Sequence, residues 1–292
     1  MRKTPLKYVL IFLGPSLLGF TIFNIVPILS SFVLAFSEWN LLKPIRFVGL
    51  SNFITMFTND PLFWPSLGRT LLYSMMSIPL GIVTSLVLAL AMNRPLKGIA
   101  LFRVAYFIPY VSSMVAVAMV WRWLYNDQFG LINVFLSLIG LPPQNWLGDA
   151  RLVIPSLVVM DVWKGAGFGM LIYLAALQGI PDQLYEAATV DGANSFQSFF
   201  KITLPLLGPA HFYMLVTGLI GGFQVFDSVY LMTQGGPGYA TRVYAYNLYQ
   251  AAFRQFQMGY ASSMAWFLFF IIFAVTLLQF RQLGGKVQYD VI

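Results

Sequence analysis

Asp161 and Lys164 stand three residues apart, with Trp163 between them, in the middle of a stretch that is otherwise apolar from Leu152 to Leu177. An ionisable residue at mid-membrane costs about 2.5 to 3.5 kcal/mol on insertion scales, so it normally faces a protein interior and has a partner. A spacing of three places the two side chains on one helix face, where they could neutralise each other. They could equally line a cavity that handles a polar solute. Gln224, Asp227 and Tyr230 form a second polar group near the end of another apolar stretch, suited to touching a solute or to sealing a gate. Reactive chemistry is otherwise scarce. With no cysteine and one histidine, His211, no metal-ligand or thiol site is expected. His211, just past Pro209, reads as a packing or capping residue. No Gly-x-x-x-x-Gly-Lys-Ser/Thr loop occurs, so nucleotide has to be bound by another polypeptide. Gly165-Ala166-Gly167-Phe168-Gly169 imitates a dinucleotide fingerprint, yet it follows no strand and lies inside an apolar stretch. Gly165 with Gly169, and Gly218 with Gly222, suit close helix packing instead.

The longest polar interruption runs from Glu186 to Pro205, with Glu186-Ala187-Ala188, then Asp191-Gly192, then Ile202-Thr203-Leu204-Pro205. Pro181-Asp182 can start a short helix, since proline suits the first turn and an acid suits the positive end of the helix dipole. The run through Ala188 has strong helix propensity. Asp191-Gly192 breaks it, because glycine turns the backbone without a Cβ penalty. A second short helix is expected over 194–201, with Phe196, Phe199 and Phe200 on an apolar face and Leu204-Pro205 ending the unit. Two short helices around a fixed turn make a rigid knob that fits a cleft on a partner.

These elements sit in a chain made for a bilayer. Hydrophobic residues make up 59% of 292 and charged residues 9%, against roughly 25% charged in soluble domains. Apolar runs of the twenty or so residues needed to cross the hydrocarbon lie at about 9–36, 67–92, 101–124, 152–177, 209–230 and 261–280, predicting an all-α polytopic membrane protein with six transmembrane helices. The first follows Arg2, Lys3 and Lys7 and has no small-x-small cleavage site after it, so it is expected to remain as a span. Basic residues crowd the short segments before the first span, between the second and third (Arg94, Lys97, Arg103) and after the sixth (Arg281, Lys286). That density places both termini and the 178–205 connection in the cytoplasm. The +7 formal charge is spread over span ends, which fits anchoring at membrane lipid headgroups rather than nucleic acid.

The ordered spacing of Glu186, Gly192, Ile202 and Pro205 resembles the loop by which membrane subunits of bacterial ABC importers engage their ATPases. The resemblance extends to Phe47-Val-Gly-Leu-Ser-Asn-Phe53, Gly130-Leu-Ile-Asn133 and Gly235-Gly-Pro237 followed by Thr241. It covers nearly the whole chain, which is similar to permeases of the carbohydrate-uptake branch, of the maltose and glycerol-phosphate type. It implies one transmembrane domain over 1–292 with the type I importer permease fold and cytoplasmic coupling helices.

The resemblance also implies a division of labour. The chain would be a non-catalytic subunit with no cofactor of its own, and ATP and Mg would sit on the partner. The partners would be a second, different permease subunit, two ATPase subunits and an extracytoplasmic solute-binding protein. Glu186, Ala187, Ala188, Asp191, Gly192, Ile202, Leu204 and Pro205 would make the ATPase contact. Asp161, Trp163, Lys164, Gly165 and Phe168, with Gly221, Gly222, Gln224, Val225 and Asp227, would line the substrate pathway in the inner-membrane subunit. Gly221 and Gly222 depart from the larger groups of a neutral-disaccharide permease. A neutral oligosaccharide, an acidic saccharide such as a uronate oligomer, and a sugar or glycerol phosphate all stay open as substrates. A secondary carrier without ATPase would need inverted repeats that these two halves do not display, and a membrane enzyme would need converging acids or histidines.

Overall fold

The computed structural model describes residues 6–94 and 97–283. Arg2, Lys3 and Lys286, expected at the headgroups, lie outside them. The described chain is mostly helical, with one antiparallel hairpin in which Ser37–Glu38 pairs with Arg46–Phe47. Four helices are long and apolar enough to cross a bilayer alone: Ile11–Ala35, Phe63–Met92, Val153–Gln178 and Met258–Gln282. Two further pairs qualify only together, Ile99–Val111 with Met114–Leu124, bent by 98°, and Ser195–Leu206 with Gly208–Phe223, bent by 61°.

Two expected spans are built differently from a single straight helix. Residues 101–124 do not form one straight helix, because Ser112 is extended and Ser113 is non-helical between the two halves. Helices of thirteen and eleven residues reach only about 20 and 16 Å, short of the roughly 30 Å of hydrocarbon. The fifth span ends at Phe223 rather than Tyr230, and the chain leaves helical geometry over 224–226 before Asp227–Met232 resumes.

Two of the prolines within helical segments follow a shared device. A π-turn over Thr21–Ile25 precedes Pro27, and another over Phe199–Thr203 precedes Pro205. In each, the closing amide bonds five residues back, Val26 to the Thr21 carbonyl and Leu204 to the Phe199 carbonyl. This slips the ladder by one residue just ahead of a proline that has no N–H to give. The helical unit ends at Leu206, one residue past Leu204-Pro205, at the 61° bend into Gly208–Phe223.

The chain forms two compact units. The first comprises residues up to Trp64 together with Asn247–Ile271. Its 25-residue first span buries none of its most apolar window, and Phe12, Phe23 and Leu18 stand exposed, as lipid contact allows. At its head the hairpin is pinned from both sides. The Asn52 amide donates to the Ala35 and Ser37 carbonyls at 3.0 and 2.9 Å, the Met258 amide donates to the Trp39 carbonyl at 3.0 Å, and Tyr260 donates to Asp60 at 2.6 Å.

The second unit comprises Pro65–Tyr246 and the stretch from Ile272. Val153–Gln178 is its central helix, with half of its most apolar window buried. One end of that helix packs into a cluster containing Tyr73, Val117, Leu157, Met160 and Val229. The other packs with Ala89, Met170, Tyr173, Leu207 and Ala210. Glycines permit the closest approach: a Cβ on Gly167 would strike the Tyr106 backbone, one on Gly169 the Ser85 side chain, and one on Gly222 would sit 2.7 Å from Ser74 Oγ. Gly218 meets Ile78 at ordinary contact distance, while a Cβ on Gly165 would meet nothing within 4 Å. The packing pair on this helix is thus Gly167 and Gly169, not Gly165 and Gly169.

The motifs outside the 186–205 segment turn out to be loop knots. Buried Asn133 donates to the Gln144 carbonyl at 2.9 Å and accepts from the Gln144 amide at 3.0 Å and from Trp146 Nε1 at 2.9 Å. Fully buried Thr241 donates to the Gly236 carbonyl at 2.7 Å and shares a 2.7 Å bond with Thr233. Asn52 does the same work in the first unit. These positions close connections, so their side chains serve the fold.

Candidate functional site

Two constructions in the second unit could do work. The first is a polar cleft of about 280 Å3 lined by Tyr73, Met114, Asp161, Gly221, Gln224, Val225, Phe226, Asp227 and Ser228. The break at 224–226 builds it: by unwinding the helix, it turns Gln224 and Asp227 toward Asp161. Asp161 accepts a 2.7 Å hydrogen bond from Tyr73, and the Ser228 hydroxyl stands beside it in the lining. Gln224 and Asp227 are exposed. The lining contains two carboxylates, an amide and two hydroxyl groups, and no lysine or arginine. Such a set binds hydroxyl donors, because ionised carboxylates accept only.

Five of the ten expected pathway residues, Asp161, Gly221, Gln224, Val225 and Asp227, meet in this cleft. The rest are placed elsewhere. Trp163 lines a separate apolar groove with Leu80, Tyr106, Pro109 and Val159. Phe168 stacks on Tyr110 with ring centroids 4.8 Å apart. Gly165 faces open space, and Gly222 packs on Ser74.

Lys164 is the largest departure from the sequence reading. It makes no ion pair with Asp161, and among the described residues the only salt bridge is Arg46 with Glu38. Its ammonium donates instead to three backbone carbonyls, Pro109 at 3.1 Å, Tyr110 at 2.8 Å and Ser112 at 3.1 Å. Sequence spacing could not reveal this, because the acceptors lie more than fifty residues away. Tyr73 and Ser228 were missed for the same reason. His211 meets Tyr173 through Nδ1 at 2.7 Å, in keeping with a packing role.

The second construction is the knob. Its first helix is Asp182–Val190, with Asp182 in the first turn and Asp191 as C-cap. The Ala193 amide donates to the Ala188 carbonyl at 2.9 Å and the Gly192 amide to the Thr189 carbonyl at 3.1 Å. With Gly192 at φ +79°, this is the Schellman closure that glycine permits. Asn194 then starts the second helix with a capping box, exchanging 2.9 Å bonds with Gln197, each orphan amide being satisfied by the other residue. A 2.9 Å bond between Tyr185 and Thr203 ties the two helices together. Glu186, Ala187, Asp191, Gly192 and Pro205 are exposed, whereas Ala188, Ile202 and Leu204 are half-buried. Val190 and Phe196 are 88% and 71% exposed, and Phe196, Phe199 and Phe200 form a contiguous ring cluster. Among the described residues Glu186 has no ion pair. The element thus presents exposed aromatic side chains and an exposed carboxylate on one fixed two-helix frame.

Residues 77–283 match the model of a family described as the binding-protein-dependent transport system inner membrane component. The chain belongs to that family. Permeases similar to it include the probable ABC transporter permease YesP of Bacillus subtilis, 38% identical over 96% of this chain and 91% of the relative. The trehalose/maltose transport system permease MalF of Thermococcus litoralis is 36% identical over 95% of this chain and 94% of its own. Among solved structures, a bacterial alginate ABC transporter in complex with alginate pentasaccharide-bound periplasmic protein matches with TM-score 0.84 and 26% identity, covering 98% of this chain and 96% of that one. The permease is therefore a multi-pass, non-catalytic membrane subunit with the ABC importer permease fold.

Proposed function

We propose that this permease forms half of the translocation pathway of an ATP-driven sugar or oligosaccharide importer, its whole length acting as one transmembrane domain. The observation that carries the reading is the knob over 182–206, a fixed two-helix element whose exposed Glu186 and aromatic cluster await a partner. That partner is a pair of ATPase subunits, which bind the ATP and Mg. Their closure moves the knob as a rigid body and rocks this subunit against a second, different permease. The knob and both termini lie in the cytoplasm, and a solute-binding protein delivers sugar from outside. The periplasmic protein bound in the alginate transporter supports the last of these partners.

In this reading the 161–228 cleft receives the sugar. Asp161, Gln224 and Asp227 accept from or donate to hydroxyl groups. Two carboxylates without a lysine or arginine in the lining favour a neutral saccharide, as does the trehalose/maltose relative. The likeness to the alginate importer favours an acidic saccharide as the second reading. Uptake of radiolabelled maltotriose, digalacturonate and glycerol 3-phosphate in cells with and without the partner ATPase tests both. ATPase-independent uptake of any of them by this chain would return the secondary-carrier alternative.

A further inference from the structure

The first helix of the broken span, Ile99–Val111, ends where Ser112 turns into extended geometry. The carbonyls of Pro109 and Tyr110 then have no amide one turn ahead, and the helix dipole concentrates negative partial charge at this end. Ile108 is satisfied twice, by the Ser112 amide at 3.1 Å and the Ser112 hydroxyl at 2.8 Å. Lys164 Nζ bonds Pro109, Tyr110 and Ser112 at once. An ammonium has three protons to give, so the fit is complete. The same cation lies 5.8 Å from the Tyr110 ring, which itself stacks on Phe168 one helical turn beyond Lys164. Beyond the break the chain restarts at Met114, and Met114 is a wall of the polar cleft.

We propose that Lys164 is a positioning residue that latches the 98° bend and, through Met114, sets the width of the cleft. The inference rests on the reading of that cleft as the sugar pathway. Lys164 does not read the charge of the substrate, because its protons are spent on backbone carbonyls. Nor does it form a direct ion pair with Asp161, whose carboxylate accepts from Tyr73. The latch fixes a break that has no other side-chain donor to those three carbonyls among the described residues. Its removal should free the bend and leave the charge preference of transport unaltered. Arginine, which keeps the cation and has several N–H donors, should restore much of the geometry.

The chain has no cysteine, so Met114→Cys gives a single reporter on the cleft wall. The experiment uses the assembled transporter in proteoliposomes and the uncharged reagent methyl methanethiosulfonate, whose approach does not depend on local charge. We expect Lys164→Met to change the labelling rate of that cysteine at least tenfold and Lys164→Arg to keep it within threefold. In the parent without the cysteine, Lys164→Met should raise the apparent KM for maltotriose and for digalacturonate by the same factor, with basal ATP hydrolysis retained. An unchanged labelling rate, or a KM effect confined to digalacturonate, overturns the proposal. Should Lys164→Met fail to assemble, Lys164→Gln, with a shorter neutral donor, is read by the same two criteria. If Asp161→Asn and Asp227→Asn leave transport untouched while the labelling result holds, the latch stands and the pathway reading falls.

Discussion

Replacing Gly192 by valine tests the turn at the tip of the knob. The residue sits at φ +79°, and a Cβ there would meet no atom within 4 Å. Its cost is therefore backbone strain alone, about 1–2 kcal/mol for an L-residue in the left-handed region. Two closing hydrogen bonds oppose it, from the Gly192 and Ala193 amides, each worth about 1 kcal/mol. Valine is β-branched and pushes that strain toward about 3 kcal/mol, so strain exceeds closure by about 1 kcal/mol and the free variant opens the turn and has to restore it on docking. A deficit of about 1 kcal/mol is a factor of about 5, which is the expected loss of affinity for the ATPase pair, titrated against the purified permease complex in detergent. Gly192→Asn, a residue that visits this region readily, should lose less than about threefold. The reasoning is refuted if the valine variant binds the ATPase as well as the parent, or if the asparagine variant fails as badly as valine.

Removing the Tyr73 hydroxyl with Tyr73→Phe deletes the 2.7 Å bond to Asp161; hydrogen bonds to charged groups are worth about 1.5–3 kcal/mol, so apparent KM for the transported sugar should rise about tenfold or more without loss of the protein from the membrane. Gly167→Leu should abolish recovery of a monodisperse complex on size exclusion because the side chain meets the Tyr106 backbone, whereas Gly165→Ala should behave as the parent; equal behaviour of the two would remove the packing argument. Alkaline phosphatase fused after Asp149 or Tyr239 should be active and after Asn194 inactive, and the opposite pattern would put the knob on the outer side.

How much of this was legible depends on the range of the interaction. The knob could be read because its signals are local: an acid in the first turn, Asp191-Gly192 at the stop, Asn194 at the restart. The 98° bend could not be read from hydropathy, which counts apolar residues without direction, although Pro109 and Ser112-Ser113 marked the place. The fifth span looked continuous for the same reason, since Val225 and Phe226 are as apolar as the helix they interrupt. Asp161 and Lys164 illustrate the remaining limit. A spacing of three suggested a pair, but a flexible lysine stem reaches carbonyls on another helix, and Asp161 found a tyrosine 88 residues away. The Leu204-Pro205 stop was legible to within one residue, since the helix ends at Leu206; the π-turn ahead of the proline was not, because it leaves no mark in hydropathy.

In the proposed function the knob transmits the ATPase cycle, and Glu186 is one of its exposed charges. The most direct measurement is ATP-driven sugar uptake by proteoliposomes that contain the second permease, the ATPase pair and the solute-binding protein, comparing the parent with Glu186→Lys. The substitution lies on a solvent-facing helix position and should leave insertion and yield unchanged. Uptake should fall at least tenfold, together with the stimulation of ATP hydrolysis by the loaded binding protein. Uptake at the parental rate would contradict the coupling role assigned to this loop.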